Sequence, residues 1–140
     1  MMTLKGKNIL VVEDDMLNRV VYQITLGVQG AFLDFDRWGR ETLERLKKGK
    51  NWDIIILDLM LRNGMSGYDI FQKIRALPEY NDIPIVAVSA SEPSVAMPRV
   101  RDLGFNGFIS KPIDEGQFAN QIARIIAGEQ IWYDGTIMPH

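Results

Sequence analysis

The stretch Asp53-Ile54-Ile55-Ile56-Leu57-Asp58 places four large apolar residues directly before a carboxylate. A continuous apolar run bounded by polar residues is typical of a strand that is buried on both faces of a parallel sheet. Taken alone, Asp58 could equally be a turn residue or a helix cap. What its carboxylate does therefore depends on what the other segments of the chain bring to the same place.

Four further segments have the pattern of strands. Ile9–Val12 and Ile85–Val88 are continuous apolar runs, and Gly107–Ser110 is a weaker one. The segment Ala31–Arg37 alternates in polarity, which is typical of a strand with one side nearer water. We therefore expect five strands, with Ala31–Arg37 at an edge of the sheet.

Segments with helical periodicity lie between these strands. Two apolar stripes have the spacing of a helix face that packs on a sheet, and they consist of Leu17, Val20, Val21 and Ile24, and of Ile70, Phe71, Ile74 and Leu77. A shorter helical stretch surrounds Leu43 and Leu46. The last helix is predicted to begin at the capping residue Asp114 and to end at Gly128.

The helix between the fourth and fifth strands has the least regular sequence. Pro98 lies inside the segment Ser94–Val100, where it would remove a hydrogen bond from the helix interior. We therefore expect this helix to be short or mobile.

Strand and helix alternate five times, which predicts an α/β fold with a parallel sheet and helices on both faces. We expect residues 1–128 to form one domain, followed by a short tail, 129–140, and no output domain. The apolar residues Ile131, Trp132 and Tyr133 of the tail are expected to pack back on the domain or to meet a partner.

Composition excludes several classes of function. The chain has 140 residues, a formal net charge of -2 and no block of basic residues, which argues against binding to nucleic acid or to a membrane surface. It has no cysteine, so disulfides and thiolate metal sites are excluded. No signal peptide or membrane span is evident in the sequence. We expect a cytoplasmic protein whose partners are proteins or small molecules.

Polar side chains follow the predicted strands at the point where each strand ends. Glu13 and Asp14 follow the first strand, Asp58 the third, Ser89 the fourth and Lys111 the fifth. In open α/β sheets, ligands bind at the carboxyl ends of the strands, so we expect these groups to share one site. The neighbouring residue, Asp15, is expected only to cap the following helix.

Several carboxylates close together repel one another unless cations neutralise them. Lys111 supplies one positive charge, and a divalent metal would supply the rest. The available ligands are oxygens, which favours Mg²⁺ or Mn²⁺. Because Mg²⁺ in proteins commonly bridges carboxylates and a phosphate, the pattern predicts phosphoryl chemistry, with Asp58 as nucleophile and with Ser89 and Lys111 binding the oxygens of the phosphoryl group.

Four motifs occur in the order found in a known family. They are ILVVEDD at 9–15, IIILD at 54–58, IPIVAVSA at 83–90 and GFISKPI at 107–113. Over about residues 6–128 the chain resembles the receiver domain of two-component response regulators, of the stand-alone type similar to chemotaxis regulators. The resemblance implies a flavodoxin-like, doubly wound sheet of five parallel strands in the order 2-1-3-4-5, with five helices.

The resemblance also implies roles for individual residues. Asp58 would be the phosphoacceptor, and the metal ligands would be Glu13, Asp14, Asp58 and the backbone carbonyl of Met60. The phosphate-binding and switching residues would be Lys111, the hydroxyl of Ser89 and the aromatic ring of Phe108, and the peptide bond before Pro112 would be cis.

The implied partners are a histidine kinase or histidine phosphotransfer protein, as phosphoryl donor, and a downstream protein target. The signal would pass through the face formed by helix 4, strand 5 and helix 5. We expect a monomer or weak dimer that is not a dedicated enzyme, although phosphorylation from a donor and slow self-dephosphorylation are expected. Slow dephosphorylation is expected because two positions that tune phosphoryl lifetime in the family hold Met60 and Ser91, neither of which has a carboxylate or amide.

One loop departs from the family pattern. Arg62 stands where the family commonly has proline, and the loop 59–67 has one residue more than is usual. This departure favours the alternative of a pseudo-receiver, a protein-interaction module that signals without phosphate. A phosphatase of the haloacid-dehalogenase type would need a second aspartate where Met60 stands, and flavin binding would need a phosphate-binding loop where the chain has three acids.

Overall fold

The computed structural model describes residues 3–37, 39–48, 51–61 and 66–136, and within them the central feature is a parallel sheet of six strands. The strands are β1 (Asn8–Val12), β2 (Phe32–Asp36), β3 (Ile54–Leu57), β4 (Ile85–Ser89), β5 (Gly107–Ser110) and β6 (Ile131–Tyr133). Their order across the sheet is β2-β1-β3-β4-β5-β6, and every neighbouring pair is parallel.

The predicted architecture is confirmed for the first five strands, in the order 2-1-3-4-5, and β2 lies at an edge as expected. The expected number of strands was wrong, because a sixth strand pairs with β5. This strand lies in the tail. It consists of only three residues, Ile131–Tyr133, and a run of that length is too short for periodicity to predict a strand. Residues Ile131–Tyr133 of the tail therefore pack back on the domain as part of the sheet.

Five α-helices connect the strands in the described residues. They are α1 (Met16–Tyr22), continued by a π-helical turn (Gln23–Gly27), α2 (Thr42–Leu46), α3 (Gly67–Arg75), α4 (Pro93–Leu103) and α5 (Phe118–Ile126). A 3₁₀ turn at Pro78–Tyr80 follows α3. None of the helices in these ranges is both long enough and apolar enough to cross a membrane.

Two hydrophobic cores lie on opposite faces of the sheet. Along β1, Leu10 and Val12 contribute to the core beneath α2, α3 and α4, whereas Ile9 and Val11 contribute to the core beneath α1 and α5. This alternation is the two-residue period of a strand, and the central strands are apolar throughout because both faces are covered.

The stripe predicted on α1 does not face the sheet. Leu17, Val20 and Ile24 are exposed to 76%, 47% and 57%. The buried positions are instead Tyr22, Thr25 and Leu26, because the ring of Tyr22 packs on Phe118 of α5. The helix has apolar residues on two sides, and the sequence alone does not show which side is buried. In the structure the side that carries Tyr22 faces the core. The second predicted stripe, on α3, does pack inward.

The prediction of a short helix around Pro98 was also wrong, since α4 has 11 residues. Pro93 occupies the first turn, where no backbone donor is needed, and Ala96 and Val100 are buried against the sheet. Pro98 removes only the single hydrogen bond that residue 98 would donate, and packing outweighs that loss. The helix ends at Gly104, whose φ of 101° is the left-handed conformation that glycine adopts readily.

The prediction that the last helix begins at Asp114 was wrong, since α5 begins at Phe118. Asp114 instead starts a turn before the helix, because its carboxylate accepts hydrogen bonds from the backbone N–H of Gly116 and the side-chain amide of Gln117. The backbone N–H of Phe118 donates to the carbonyl of Asp114, and the chain leaves the helix at Gly128, as the sequence predicts. The altered loop residues Arg62–Met65 lie outside the described residues.

Candidate functional site

The carboxyl ends of β1 and β3 bring three carboxylates together. Glu13 and Asp14 follow β1, and Asp58 follows β3, which pairs directly with β1. Carboxylate oxygens of the three residues lie within 4.8 Å of one another. All three residues are largely buried, with 1%, 7% and 7% of their surface exposed. The site therefore concentrates negative charge in a place that water reaches poorly.

Lys111 supplies the compensating positive charge from the end of β5. Its ammonium Nζ donates to Oε1 of Glu13 at 2.7 Å and to Oδ2 of Asp58 at 3.2 Å. With all four groups ionised, three carboxylates and one ammonium leave an excess of two negative charges. A divalent cation is the ion that would balance this excess.

Burial and charge act in opposite directions on these groups. Burial raises the pKa of Glu13 above its ordinary value, because Lys111 compensates only part of the cost of desolvating the carboxylate. Burial is also the largest single influence on Lys111 and lowers its pKa. The charges of Asp58 and Glu13 and the hydrogen bonds outweigh it, so the pKa of Lys111 is raised overall and the ammonium stays charged.

Local backbone geometry fixes the carboxylate of Asp58. Its Oδ1 accepts a hydrogen bond from the backbone N–H of Met60 at 3.1 Å, while Oδ2 faces Lys111. The start of α3 approaches this segment closely at Gly67. A Cβ there would collide with the carbonyl oxygen of Asp58 and would lie 2.7 Å from Cα of Leu59. Glycine is thus required for the helix to pack against the strand end.

Asp15 has the capping role that its position predicts. Its Oδ1 accepts hydrogen bonds from the backbone N–H groups of Leu17 and Asn18 at 2.8 and 3.2 Å. Its own backbone N–H donates to Oε2 of Glu13 at 3.2 Å. Asp15 therefore caps α1, and its backbone N–H at the same time orients the carboxylate of Glu13.

The structure places Ser89 at the carboxyl end of β4, buried and on the same sheet edge as the carboxylates. Its hydroxyl lies 2.9 Å from the hydroxyl of Ser91. Phe108 is fully buried in β5, opposite Ala87 of β4. The peptide bond between Lys111 and Pro112 is cis.

One residue beside the site was not predicted. The hydroxyl of Tyr22 on α1 donates a hydrogen bond to Oε1 of Glu13 at 3.4 Å, the oxygen that Lys111 also contacts. Burial, followed by the charges of Glu13 and Asp58, raises the pKa of Tyr22 well above its ordinary value, so the phenol stays protonated as a donor. Nothing in the sequence indicates this contact, because it depends on which side of α1 faces the sheet.

The residues present fit a divalent cation with a preference for oxygen. The donor set consists of carboxylates, and their mutual distances allow a single ion to contact more than one of them. Neither cysteine nor histidine is available among the cluster residues, which disfavours zinc.

Comparison with known proteins agrees with this geometry. The family model for the response regulator receiver domain matches residues 9–123. The polar-differentiation response regulator DivK of Brucella ovis is 29% identical over 116 residues, which cover 83% of this chain and 93% of DivK. Probable histidine kinase 5 of Oryza sativa is 25% identical over 146 residues. These cover 90% of this chain but 12% of the kinase, so the chain spans only a small part of that relative.

Solved structures share the fold. The receiver domain of the sensor histidine kinase PA1611 from Pseudomonas aeruginosa aligns with a TM-score of 0.77 at 24% identity, over 88% of this chain and 99% of that one. Its crystal structure has a magnesium ion coordinated in the active site cleft. The chemotaxis response regulator CheY4 of Vibrio cholerae aligns with a TM-score of 0.75 at 23% identity, over 85% and 98% of the two chains. From its fold and the family match over most of its length, this chain belongs to the response regulator receiver domain family.

Proposed function

We propose that Asp58 accepts a phosphoryl group from a phosphohistidine on a histidine kinase or histidine phosphotransfer protein, and that the chain acts in the cytoplasm as a signalling domain. The observation that carries this proposal is the buried carboxylate of Asp58, held between Lys111 and the acidic pair Glu13 and Asp14. A carboxylate in this position is both a nucleophile and part of a cation site.

In the transfer step, an oxygen of Asp58 forms a bond to phosphorus while the phosphorus–nitrogen bond of the donor breaks. The electron pair of that bond returns to the imidazole ring. The ammonium of Lys111, already 3.2 Å from Asp58, is placed to bind an oxygen of the transferred group. Ser89, at the same sheet edge, would exchange its contact with the hydroxyl of Ser91 for a second phosphoryl oxygen.

Glu13, Asp14 and Asp58, together with the backbone carbonyl of Met60, would hold Mg²⁺, or Mn²⁺ in its place. The bound ion would neutralise negative charge on the phosphoryl oxygens during transfer. The magnesium coordinated in the receiver domain of PA1611 supports this assignment. Tyr22 and Lys111 would keep Glu13 oriented toward the ion.

The donor must dock beside the mouth of the site, because its imidazole has to come within bonding distance of Asp58. The helix α1 begins next to the acidic pair and exposes apolar side chains along one side, namely Met16, Leu17, Val20 and Ile24. Exposed apolar residues in a continuous stripe are typical of a protein contact surface. We assign donor docking to this stripe.

Phe108 would transmit the state of the site to the face formed by α4, β5 and α5, and a downstream protein would bind there. Its burial in β5, three residues before Lys111, supports this role. The pseudo-receiver alternative rests on the altered sequence of the loop 59–67. The complete set of carboxylates and lysine around Asp58 argues against it.

The experiment is intact-mass analysis of the purified chain after incubation with acetyl phosphate, with and without Mg²⁺. We expect the mass of one phosphoryl group to be added only when Mg²⁺ is present, and expect no addition to the variant Asp58→Asn. Asp53→Asn is the matched control, since Asp53 lies at the opposite end of β3 and its carboxylate binds the backbone of Asn8. An unmodified wild-type chain that also fails to bind beryllofluoride would favour the pseudo-receiver.

A further inference from the structure

We propose that the outer edge of β5 is a docking surface for an extended strand of a partner protein, and that the chain's own residues 129–133, whose strand β6 pairs with this edge in the structure, act as an internal ligand that the partner displaces. A partner would bind there by presenting a segment of the same chemistry, an acidic residue followed by aliphatic and aromatic residues. The proposal comes from the pairing of β6, and it concerns the same face of α4, β5 and α5 to which the proposed function assigns a downstream protein.

The strand β6 covers an edge that would otherwise be open. It pairs in parallel with β5, with Gly107 opposite Ile131, Phe108 opposite Trp132 and Ile109 opposite Tyr133. Unpaired edges of sheets bind extended segments through backbone hydrogen bonds, and side-chain contacts then select the sequence. In this molecule α4 and α5 flank β5 and provide those side-chain contacts.

Successive side chains of β6 point to opposite faces of the sheet, so they contact the two cores in turn. Trp132 packs against the core beneath α4, and the guanidinium of Arg101 lies 4.6 Å from the centre of its ring. Ile131 and Tyr133 pack against the core beneath α5. Just before the strand, Glu129 forms an ion pair with Arg124 of α5 at 3.0 Å. The surface thus contacts one acidic side chain and the three apolar or aromatic side chains that follow it.

The strand β5 is shaped for a close neighbour. At Gly107, a Cβ would lie only 2.6 Å from the carbonyl oxygen of Ile131, so the absence of a side chain allows the backbone of β6 to approach. A surface that accommodates a strand in this manner accommodates the backbone of any extended segment equally well.

The internal ligand is held weakly enough to be replaced. It has three strand residues, and all three side chains remain partly exposed. It is bounded by Gly128 and Gly135, whose φ values of 106° and 90° let the chain turn sharply at both ends. Because the segment is covalently attached, its effective concentration at the edge of β5 is about millimolar. A competing segment must therefore exceed that concentration, unless the contacts of β6 are first weakened.

The test uses the chain of 140 residues, labelled with ¹⁵N, and a synthetic peptide of residues 128–136. In the variant Trp132→Ala the internal strand is weakened, and the peptide should shift the amide signals of Gly107–Ser110 saturably. The wild-type chain should need about tenfold more peptide for the same shifts, because its own strand competes. The variant Phe32→Ala is the matched control, since it removes an exposed aromatic residue from the opposite edge strand.

Glu129→Gln provides a second variant if Trp132→Ala does not fold, because Glu129 is exposed and its ion pair with Arg124 holds only the internal segment, while the added peptide keeps its own glutamate. A peptide with alanine in place of the tryptophan should bind neither variant. The proposal is overturned if the peptide shifts no β5 amide in either variant, or if wild type and variants respond equally. It is also overturned if protection of the β5 amides in the wild-type chain rises with protein concentration, which would assign β6 to a second copy.

Discussion

At the scale of single residues, the charge balance of the site depends on Lys111. Its ammonium contacts Glu13 and Asp58, and its side chain is only 12% exposed. Removing one partner of a buried ion pair is costly because the remaining charge is left without compensation. The convergence of these groups could be predicted, since each follows a predicted strand. The hydrogen bond from Tyr22 could not, because it depends on how α1 is rotated.

The variant Lys111→Met should lower the free energy of unfolding by about 3 kcal/mol in the absence of Mg²⁺, the lower end of the cost of removing one partner of a buried ion pair. Added Mg²⁺ should restore part of this loss, since the ion binds the same carboxylates and favours the folded state. Urea unfolding with and without Mg²⁺ measures both effects. Lys47→Met, on the exposed end of α2, is the matched control. An equal and Mg²⁺-insensitive effect of the two substitutions would contradict this account of the site.

The lifetime of the phosphoryl group should depend on Met60, which follows the proposed acceptor Asp58 by two residues and is 70% exposed. A thioether neither orients nor deprotonates water, so we expect the phosphorylated chain to last far longer than seconds. The substitution Met60→Gln should shorten the lifetime by about a hundredfold, the lower end of typical contributions from a positioned side chain. Loss of label followed over time measures it, and a wild-type half-life of seconds would refute the prediction.

At the scale of elements, strands were easier to predict than helix faces. Strands buried on both faces are continuously apolar, so the sequence alone allowed us to predict strands at Ile54–Leu57 and Ile85–Val88. Along α1, apolar residues occur on two sides, and the choice between them is made by tertiary packing of Tyr22 on Phe118. The three residues of β6 carry no periodicity that could be recognised, and they are a strand because the edge of β5 pairs with them.

The junction of β3 and α3 makes a specific prediction at this scale. Gly67→Ala would force the start of α3 away from Asp58 and Leu59, so it should lower the free energy of unfolding by about 2 kcal/mol and weaken phosphorylation. Gly27→Ala is the control, because its Cβ would meet only a side-chain oxygen at an ordinary 3.5 Å. In a helical position that substitution should stabilise the chain by about 0.5–1 kcal/mol. Thermal unfolding and the acetyl phosphate reaction measure the two effects, and a neutral Gly67→Ala would show that the contact is not needed.

At the scale of the whole molecule, the strand β5 contacts both the proposed phosphosite and the strand β6 at its outer edge. Phe108 of β5 lies opposite Trp132 of β6, and Lys111 directly follows the strand and contacts Asp58. A phosphoryl group on Asp58 would give Lys111 a new partner and displace the end of β5. The two sites are therefore expected to be coupled.

Coupling between two sites is reciprocal, so each should affect the other by the same factor. Loading with beryllofluoride and Mg²⁺ should accelerate amide hydrogen exchange in residues 129–136 by about tenfold, within the usual range of allosteric coupling. The variant Trp132→Ala should then bind beryllofluoride more tightly by the same factor, whereas Phe32→Ala should not. Unchanged exchange in a chain that is demonstrably loaded would show that the two sites are independent.

The central claim is that Asp58 carries the phosphoryl group. Borohydride reduces an aspartyl phosphate to homoserine, so reduction after incubation with acetyl phosphate and Mg²⁺, followed by peptide mapping, marks the acceptor directly. We predict homoserine at position 58, and none when Mg²⁺ is omitted. Homoserine at Asp14 or Asp15 instead, or at no position in a chain that binds Mg²⁺, would contradict the assignment.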